Sequence, residues 1–381
     1  MIKIKIKFLI FIVIIALFSY FAGGNLSYSI LYTTLLILVF GLIHINLQRV
    51  TMKAYINISP EVFRTGDVLN INITVKSFSP FPAGFLLVEN KGILSFKKNY
   101  KGDVAFLNYH KEKNFSNQLH LKVRGIYDFS ETNVYFTDLF CTMKTKKRFA
   151  QTKYIKVYPR ICKINEENFN EGSISQNSNR NLSIAEDSNV IRDFRLYRQG
   201  DSLKKVNWKL SAKHNEIYVK DFEEVVSNDA NIILNMNKHD AATLEEEMIE
   251  LAVSVIDYLL AKQLKVKLLI NNEEDKTFNV DNNSDFQFLM EYFINNKSQG
   301  QGNLIDYLDS KVRTFKQGSW IGVITIDVNE ALIKEIMELV NLGFKLCVFY
   351  GKGNNLEFIK KQRSRGLELI KWEEATFSQN E

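Results

Sequence analysis

The first 50 positions are two apolar stretches and little else. Residues 8–22 are apolar except for Ser19, and residues 26–47 carry no charge, a run of about 20 that suffices to cross a hydrocarbon core of about 30 Å. Only Gly23-Gly24-Asn25 separates them, so the pattern predicts a helical hairpin with the glycines at its tip. A signal peptide would also open with a basic start and an apolar core. Here, however, no small-x-small cleavage site opens onto a polar segment. From residue 52 the period becomes two. Ala54-Tyr55-Ile56-Asn57-Ile58 and Leu69-Asn70-Ile71-Asn72-Ile73-Thr74-Val75 alternate as half-buried strands do, with turns at Arg64-Thr65-Gly66-Asp67 and Ser79-Pro80-Phe81-Pro82. Further strands are expected at 84–89, 120–123, 132–136 and 154–157. With no helical period among them, they suggest an antiparallel β-sandwich of immunoglobulin-like type, a structural or interaction module.

Beyond a stretch rich in Asn, Ser and Glu (166–189), which reads as a solvated connector, strands and helices alternate. Strand 231–236 is followed by an amphipathic helix over 243–263. Its Leu244, Met248, Leu251, Val255 and Leu259 recur at helical spacing, and Glu245, Glu246 and Glu247 load its first turn. Strands at 265–270, 277–280, 320–326, 345–350 and 368–371 and helices at 285–294, 303–315, 329–341 and 356–365 complete an α/β doubly wound domain with a parallel sheet. The predicted organisation is multidomain: a transmembrane α-hairpin (1–50), the β-sandwich (51–161), a flexible linker (162–190), a motif segment (191–227) and the α/β domain (228–376).

Charge orients the hairpin. Lys3, Lys5 and Lys7 precede it and Arg49 and Lys53 follow it, while its turn has none, so the positive-inside rule places both termini and the soluble body in the cytoplasm. Cys141, Cys162 and Cys347 lie far apart and read as thiols in a reducing compartment. A net charge of +6 over 381 residues calls for no polyanion by itself. His44, near the end of the second span, is expected at the membrane interface.

The motif segment carries the chain's most specific pattern. It reads R-D-F-R-L-Y-R-Q-G-D-S-L-K-K-V-N-W-K-L-S-A-K from Arg192, then runs through Val219 to Phe222 and Glu223. Arg195, Tyr197, Gly200, Asp201, Lys205, Val206, Trp208, Lys209, Ser211, Ala212 and Lys213 resemble the signature of the domain-of-unknown-function 58 family, with Lys205 and Lys213 where Arg is usual. Asp138-Leu139-Phe140-Cys141 is a degenerate form of that family's D-P-F-G-L, and Tyr158-Pro159-Arg160 matches its Y-P-R. The resemblance implies a membrane hairpin, a β-rich segment and a von Willebrand factor A-like C-terminal domain. It also implies partnership with a MoxR-type AAA+ ATPase and a transglutaminase-like membrane protein.

As chemistry, the segment lacks a nucleophile with a base: Asp201 has no partner His and Ser211 no general base. Asp193, Asp201 and Asp221 are expected in ion pairs with Arg192, Arg195, Lys204 and Lys220. Arg192, Arg195, Arg198, Lys204, Lys205, Lys209 and Lys213 with Tyr197 and Trp208 would suit a nucleic-acid groove, although acidic residues are interleaved. The favoured reading is a clamp or docking surface, with Gly200-Asp201 as a turn and Trp208 anchored in the core. In von Willebrand A-like domains a D-x-S-x-S loop after the first strand holds a cation. Here that place reads Asn235-Met236-Asn237-Lys238-His239, and only Asp327 survives of the later set, a degenerate site for Mg²⁺, with His239 expected at the surface. Gly351-Lys352-Gly353 lacks the rest of a nucleotide loop. The expectation is a non-enzymatic membrane-tethered scaffold without a cofactor, serving cell-envelope complexes. The alternatives are a membrane-attached nucleic-acid binder and a metal-dependent adhesion-type protein.

Overall fold

The computed structural model describes residues 2–59, 62–97, 99–108, 111–165, 191–198, 206–214, 216–222, 229–315, 319–353 and 367–376. The chain divides into one unit of Met1–Arg160 with Met290–Lys297, and a second of Ile161–Leu289 with Ser298–Glu381. From residue 166 onward the expected linker lies outside the described residues, as does the helix expected at 356–365.

In the first unit the apolar stretches become helices α1 (Ile6–Ala22) and α2 (Gly24–Thr51). Gly23 and Gly24 take φ of +56° and +86°, a conformation side chains resist, and the chain reverses there. Across this tip the Ser19 hydroxyl donates to the Ser27 carbonyl at 2.9 Å. Helix α2, with 28 residues and a window of mean hydropathy 2.1, is long and apolar enough to cross a membrane; α1 is a shorter apolar helix. Leu9, Phe11, Ile14, Phe18, Phe21, Leu26, Leu36 and Ile43 along them are all more than half exposed.

The foot of α2 is held differently. Gly41, His44, Ile45 and Gln48 are buried. The Gln48 side chain donates to the Phe81 carbonyl at 2.8 Å and accepts from the Ser77 hydroxyl at 3.0 Å. His44, expected at a lipid interface, is instead buried against the strands with Nε2 at 2.9 Å from the Pro82 carbonyl. The N-terminus returns as strand β1 (Lys3–Ile4), which two residues could not announce by period, and pairs with β10 (Met143–Ala150).

The intervening elements are β2 (Met52–Ile58), β3 (Val62–Arg64), β4 (Val68–Ser77), β5 (Ala83–Asn90), α3 (Lys91–Phe96), β6 (Asp103–Leu107), β7 (Glu112–His120), β8 (Gly125–Asp128) and β9 (Glu131–Thr137). Strand β11 (Tyr154–Tyr158) closes the unit. They form sheets ordered β1-β10-β9-β5-β6, β2-β4-β7 and β3-β11-β8. Alternation puts Leu69, Ile71, Ile73 and Val75 of β4 fully inside one core with Leu86, Val88, Phe129 and Phe136. Each such side chain contributes about 1.5–3 kcal/mol relative to exposure. Three expectations are corrected. The strand expected at 120–123 ends at His120. Strands β3 and β11 run parallel, so the pairing is not wholly antiparallel. Helix α3 interrupts a segment read as having none; Asn90 caps it by accepting from the Gly92 amide at 2.9 Å, a local device that leaves no period.

After β9 the chain turns around Asp138, whose fully buried carboxylate accepts from the Met143 amide at 2.6 Å and the Thr142 hydroxyl at 2.9 Å. Cys141, at the glycine position of the family pattern, has φ of +56°.

The second unit's sheet is ordered β16-β15-β14-β17-β18-β19: β14 (Asp229–Asn235), β15 (Lys265–Asn271), β16 (Lys276–Val280), β17 (Trp320–Val328), β18 (Lys345–Gly353) and β19 (Glu368–Lys371). All neighbours are parallel except β16, which is antiparallel because residues 272–275 are too short for a crossover. This corrects the wholly parallel sheet. Helices α5 (Ala242–Ala261) and α8 (Glu330–Asn341) follow strands, as does α6 (Asn283–Asn295), whose end falls with the first unit; α7 (Leu304–Val312) comes after α6 and leads into β17. Strand β17 is buried at every position but Asp327, as a central strand covered on both faces must be.

Two outcomes follow. Cys141→Gly relieves the left-handed backbone and raises stability by about 1 kcal/mol, read as a higher denaturation midpoint of the full chain in detergent; a lower midpoint would mean that the Cys141 contact with the Thr137 hydroxyl outweighs it. The second concerns Asp275. Burial pushes its carboxyl up, but hydrogen bonds from Lys311 and Tyr307 and the ammonium's charge outweigh that and hold it below its ordinary value. A depressed carboxyl contributes stability above its unfolded pKa of about 3.9 and loses it as pH falls through the folded value. The melting temperature of wild type should therefore fall more steeply below about pH 4 than that of Asp275→Asn; superimposable curves would refute the coupling.

Candidate functional site

The motif segment folds around a hairpin of β12 (Ile191–Leu196) and β13 (Tyr218–Phe222), with helix α4 (Trp208–His214) between them. Asn207 starts α4, its side chain accepting from the Leu210 amide at 3.2 Å. Ser211 then ties helix to strand: its hydroxyl donates to the Asn207 carbonyl and accepts from the Tyr218 amide, both at 2.8 Å. Val206 and Val219 bridge to each other and are buried, and Ser211 is buried with them. The signature serine is thus a strut, and its hydroxyl is used twice.

Trp208 corrects its expectation. It is 63 % exposed rather than core-anchored. Lys209, Ala212 and Lys213 are also exposed, as are Arg195 and Arg198, while Tyr197 is half-buried. Phe194 and Leu196, two apart on β12 and so on one face, are exposed, as is Ile217. Apolar and cationic side chains of this segment are thus both exposed, while Val206, Ser211 and Val219 are buried. Asp193 and Asp221 stand opposite each other in the hairpin register. Gly200, Asp201, Lys204, Lys205 and Glu223 lie outside the described residues, and the expected Gly200-Asp201 turn with them.

The carboxyl edge of the second unit's sheet is the other candidate. Strand order reverses on either side of β14, which leaves a crevice at the strand ends where ligands of open sheets bind. Asn235 and Asn271 end adjacent strands and join laterally with Thr325, three residues before the end of β17: the Asn271 amide donates to Asn235 and the Asn235 amide to Thr325, both at 3.2 Å. Asn237 turns to a neighbouring loop and donates to the Gly302 carbonyl at 2.7 Å. Gly300 makes that approach possible, because a Cβ there would lie 2.7 Å from the Asn237 side-chain oxygen. His239, expected at the surface, is about three-quarters buried; its Nδ1 accepts from the Ala241 amide at 3.1 Å, and its Nε2 faces the Asp327 carboxylate at 3.4 Å. The structure therefore separates the degenerate metal set: Asn235 faces Asn271 and Thr325, Asn237 faces a loop, and Asp327 faces His239. No grouping of three or more His, Cys, Asp or Glu able to hold a metal occurs among the described residues. Asn271 and Thr325, which line this edge with an amide and a hydroxyl, carry no motif that sequence reading could have found; only strand register identifies them.

Ser211→Ala, which leaves the Tyr218 amide unpaired, should cost about 1–3 kcal/mol and expose the β12–β13 amides to hydrogen exchange. Trp208→Ala should stay within about 0.5 kcal/mol of wild type. A stability loss at Trp208 equal to that at Ser211 would mean the indole is structural.

Comparison with known proteins agrees with the motif. Residues 193–291 match the family model described as "Protein of unknown function DUF58", a span from β12 into α6. The Bacillus subtilis (strain 168) protein described as "Uncharacterized protein YeaD" is 25 % identical over 256 residues, 64 % of this chain and 63 % of the relative, so the match spans less than two-thirds of that protein. Among solved structures, the CARDB domain of the PF1109 protein from Pyrococcus furiosus, in complex with di-metal ions, overlaps 28 % of this chain and 91 % of its own, at 16 % identity and a TM-score of 0.19. A Listeria innocua beta-glucosidase in complex with glucose overlaps 28 % of this chain and 16 % of its own, at 13 % identity and a TM-score of 0.18. Overlaps of that score say nothing about this chain's chemistry. From β12 into α6, then, the chain is similar to the DUF58 family of proteins of unknown function.

Proposed function

We propose that this protein is a non-enzymatic adaptor, tethered to a membrane by both helices of the hairpin, that presents the motif segment to a protein partner. The observation that carries the reading is the 63 % exposure of Trp208 on α4, in a segment where Lys209, Lys213, Phe194 and Leu196 are exposed as well. Trp is among the residues enriched at interface hot spots.

The tether reading rests on dimensions. Seventeen residues of α1 rise about 25 Å, and the undocked part of α2 rises about the same, close to the thickness of a thin hydrocarbon core. Both arms begin and end on the same folded unit, and Lys3, Lys5, Lys7, Arg49 and Lys53 cluster at that end, which favours a cytoplasmic body. In this reading the first unit is an immunoglobulin-like spacer and the second a von Willebrand factor A-like domain. Its carboxyl edge holds amides and a His239–Asp327 pair in place of a full carboxylate set. The partner proposed is a MoxR-type AAA+ ATPase, with a transglutaminase-like membrane protein as a further member and cell-envelope assembly as the setting.

The test is affinity capture of the tagged full-length chain in mild detergent with ATP and Mg²⁺. An AAA+ ATPase should co-purify, and Trp208→Ala combined with Lys209→Glu should reduce its recovery at least tenfold while the melting temperature is kept. Unchanged recovery in that variant would overturn the docking surface. Co-purifying nucleic acid that salt removes would replace the adaptor reading with the nucleic-acid one.

A further inference from the structure

An open basin of about 630 Å³ lies where the foot of α2 meets β10. It is lined by Asn46, Arg49 and Val50 of the helix and by Lys146, Lys147 and Arg148 of the strand. Alternation along β10 exposes Lys144, Lys146 and Arg148, while Met143 and Thr145 are buried. Lys147 is engaged otherwise. Its ammonium donates to the Arg49 and Met52 carbonyls, each at 2.6 Å, and so caps the end of α2. Burial, and then the charges of Arg49 and Lys53, hold that ammonium below its ordinary pKa: this cation already sits against others. Glu131, 3.0 Å from Arg148, is a carboxylate that answers one of them. Lys3 and Lys144 stand directly opposite in the β1–β10 pair, an arrangement of like charges that costs stability unless an anion lies near.

The surroundings indicate which anion. Beside the basin the helix exterior turns apolar: Val50, Ile43 and Val39 are 79, 61 and 53 % exposed. Phe40 of α2 packs its ring against Phe81 and Phe140, both of which are also exposed in part. A soluble phosphate would meet only the cations. A lipid would place its phosphate on them and run its chains along the apolar helix.

We propose that this basin is a binding site for the headgroup of an anionic phospholipid, with Arg49, Lys146 and Arg148 as its ligands and Lys147 holding helix and strand together. The site rests on the membrane-tether reading above, and it adds a lipid preference to it. It also explains a sequence feature that motif reading passed over, the Lys144-Thr145-Lys146-Lys147-Arg148 run on an otherwise ordinary strand.

The test uses the full-length protein in neutral detergent, titrated with phosphatidylglycerol or phosphatidylcholine, with retained lipid counted by native mass spectrometry. Phosphatidylglycerol should be retained and phosphatidylcholine should not. In Arg49→Gln/Lys146→Gln/Arg148→Gln, which keeps Lys147, the affinity should fall roughly a hundredfold. If that triple variant fails to fold, Lys146→Gln alone should weaken binding roughly fivefold. Equal retention of both lipids, or wild-type affinity in the variants, would overturn the site. Competition by millimolar inorganic phosphate that fully displaces the lipid would reassign it to a soluble anion and overturn the lipid. Release of the protein from membranes by alkaline carbonate would overturn the tether reading and the site with it, whereas firm membrane retention without headgroup preference would remove the site alone.

Discussion

The contact on which the first unit depends is the docking of the last turns of α2 against the strands. An apolar hairpin joined to a soluble body by a free tail would be indifferent to that body's orientation. Here the helix continues into the core instead: Gln48 is paired at both ends of its amide with Phe81 and Ser77, His44 with Pro82, and Ile45 is fully buried. Lys147 reaches back from β10 to the carbonyls that end the helix. Leaving such buried polar groups unpaired costs about 1–3 kcal/mol each, more than the about 0.5–1.5 kcal/mol each bond contributes, so the joint resists separation. The return of β1 onto β10 fixes the other arm to the same sheet.

Rigidity at that joint gives the remaining features their meaning. A basic basin beside the foot of α2 has a defined depth relative to the hairpin because helix and strand cannot slide past each other. The turn at Asp138 belongs to the same construction. Its carboxylate gathers the Met143 amide and the Thr142 hydroxyl, and the chain accepts a left-handed Cys141 to complete it. The chain meets that backbone requirement without a glycine, at some cost in strain.

The motif segment follows the opposite logic. Its polar residues divide between those that build, Asn207 and Ser211, and those left outside, Lys209 and Lys213, with Trp208 outside beside them. At the carboxyl edge of the second unit's sheet, hydrogen bonds join Asn235, Asn271 and Thr325, and Asp327 faces His239.

Two kinds of information were legible in the sequence by itself. Unbroken apolar runs specify the two helices, because each residue in lipid or in a helix pair answers to the same solvent, and period-two stretches such as 69–75 specify strands with one buried face. Alternating apolar strands and amphipathic helices likewise announced the α/β unit, and the motif around Trp208 announced the similarity to the DUF58 family model. Whatever depended on partners distant along the chain was decided by tertiary structure. His44 reads as interfacial until Pro82 is brought to it, and Trp208 reads as core until the strut of Ser211 makes its burial unnecessary. The antiparallel β16 follows from a connection length, and the parallel β3–β11 pair from residues nearly a hundred positions apart. The basin at Arg49 and Lys146–Arg148 joins a helix end to a strand in the same way. Local pattern records the solvent each side chain prefers; it cannot record which remote group will supply that solvent's replacement.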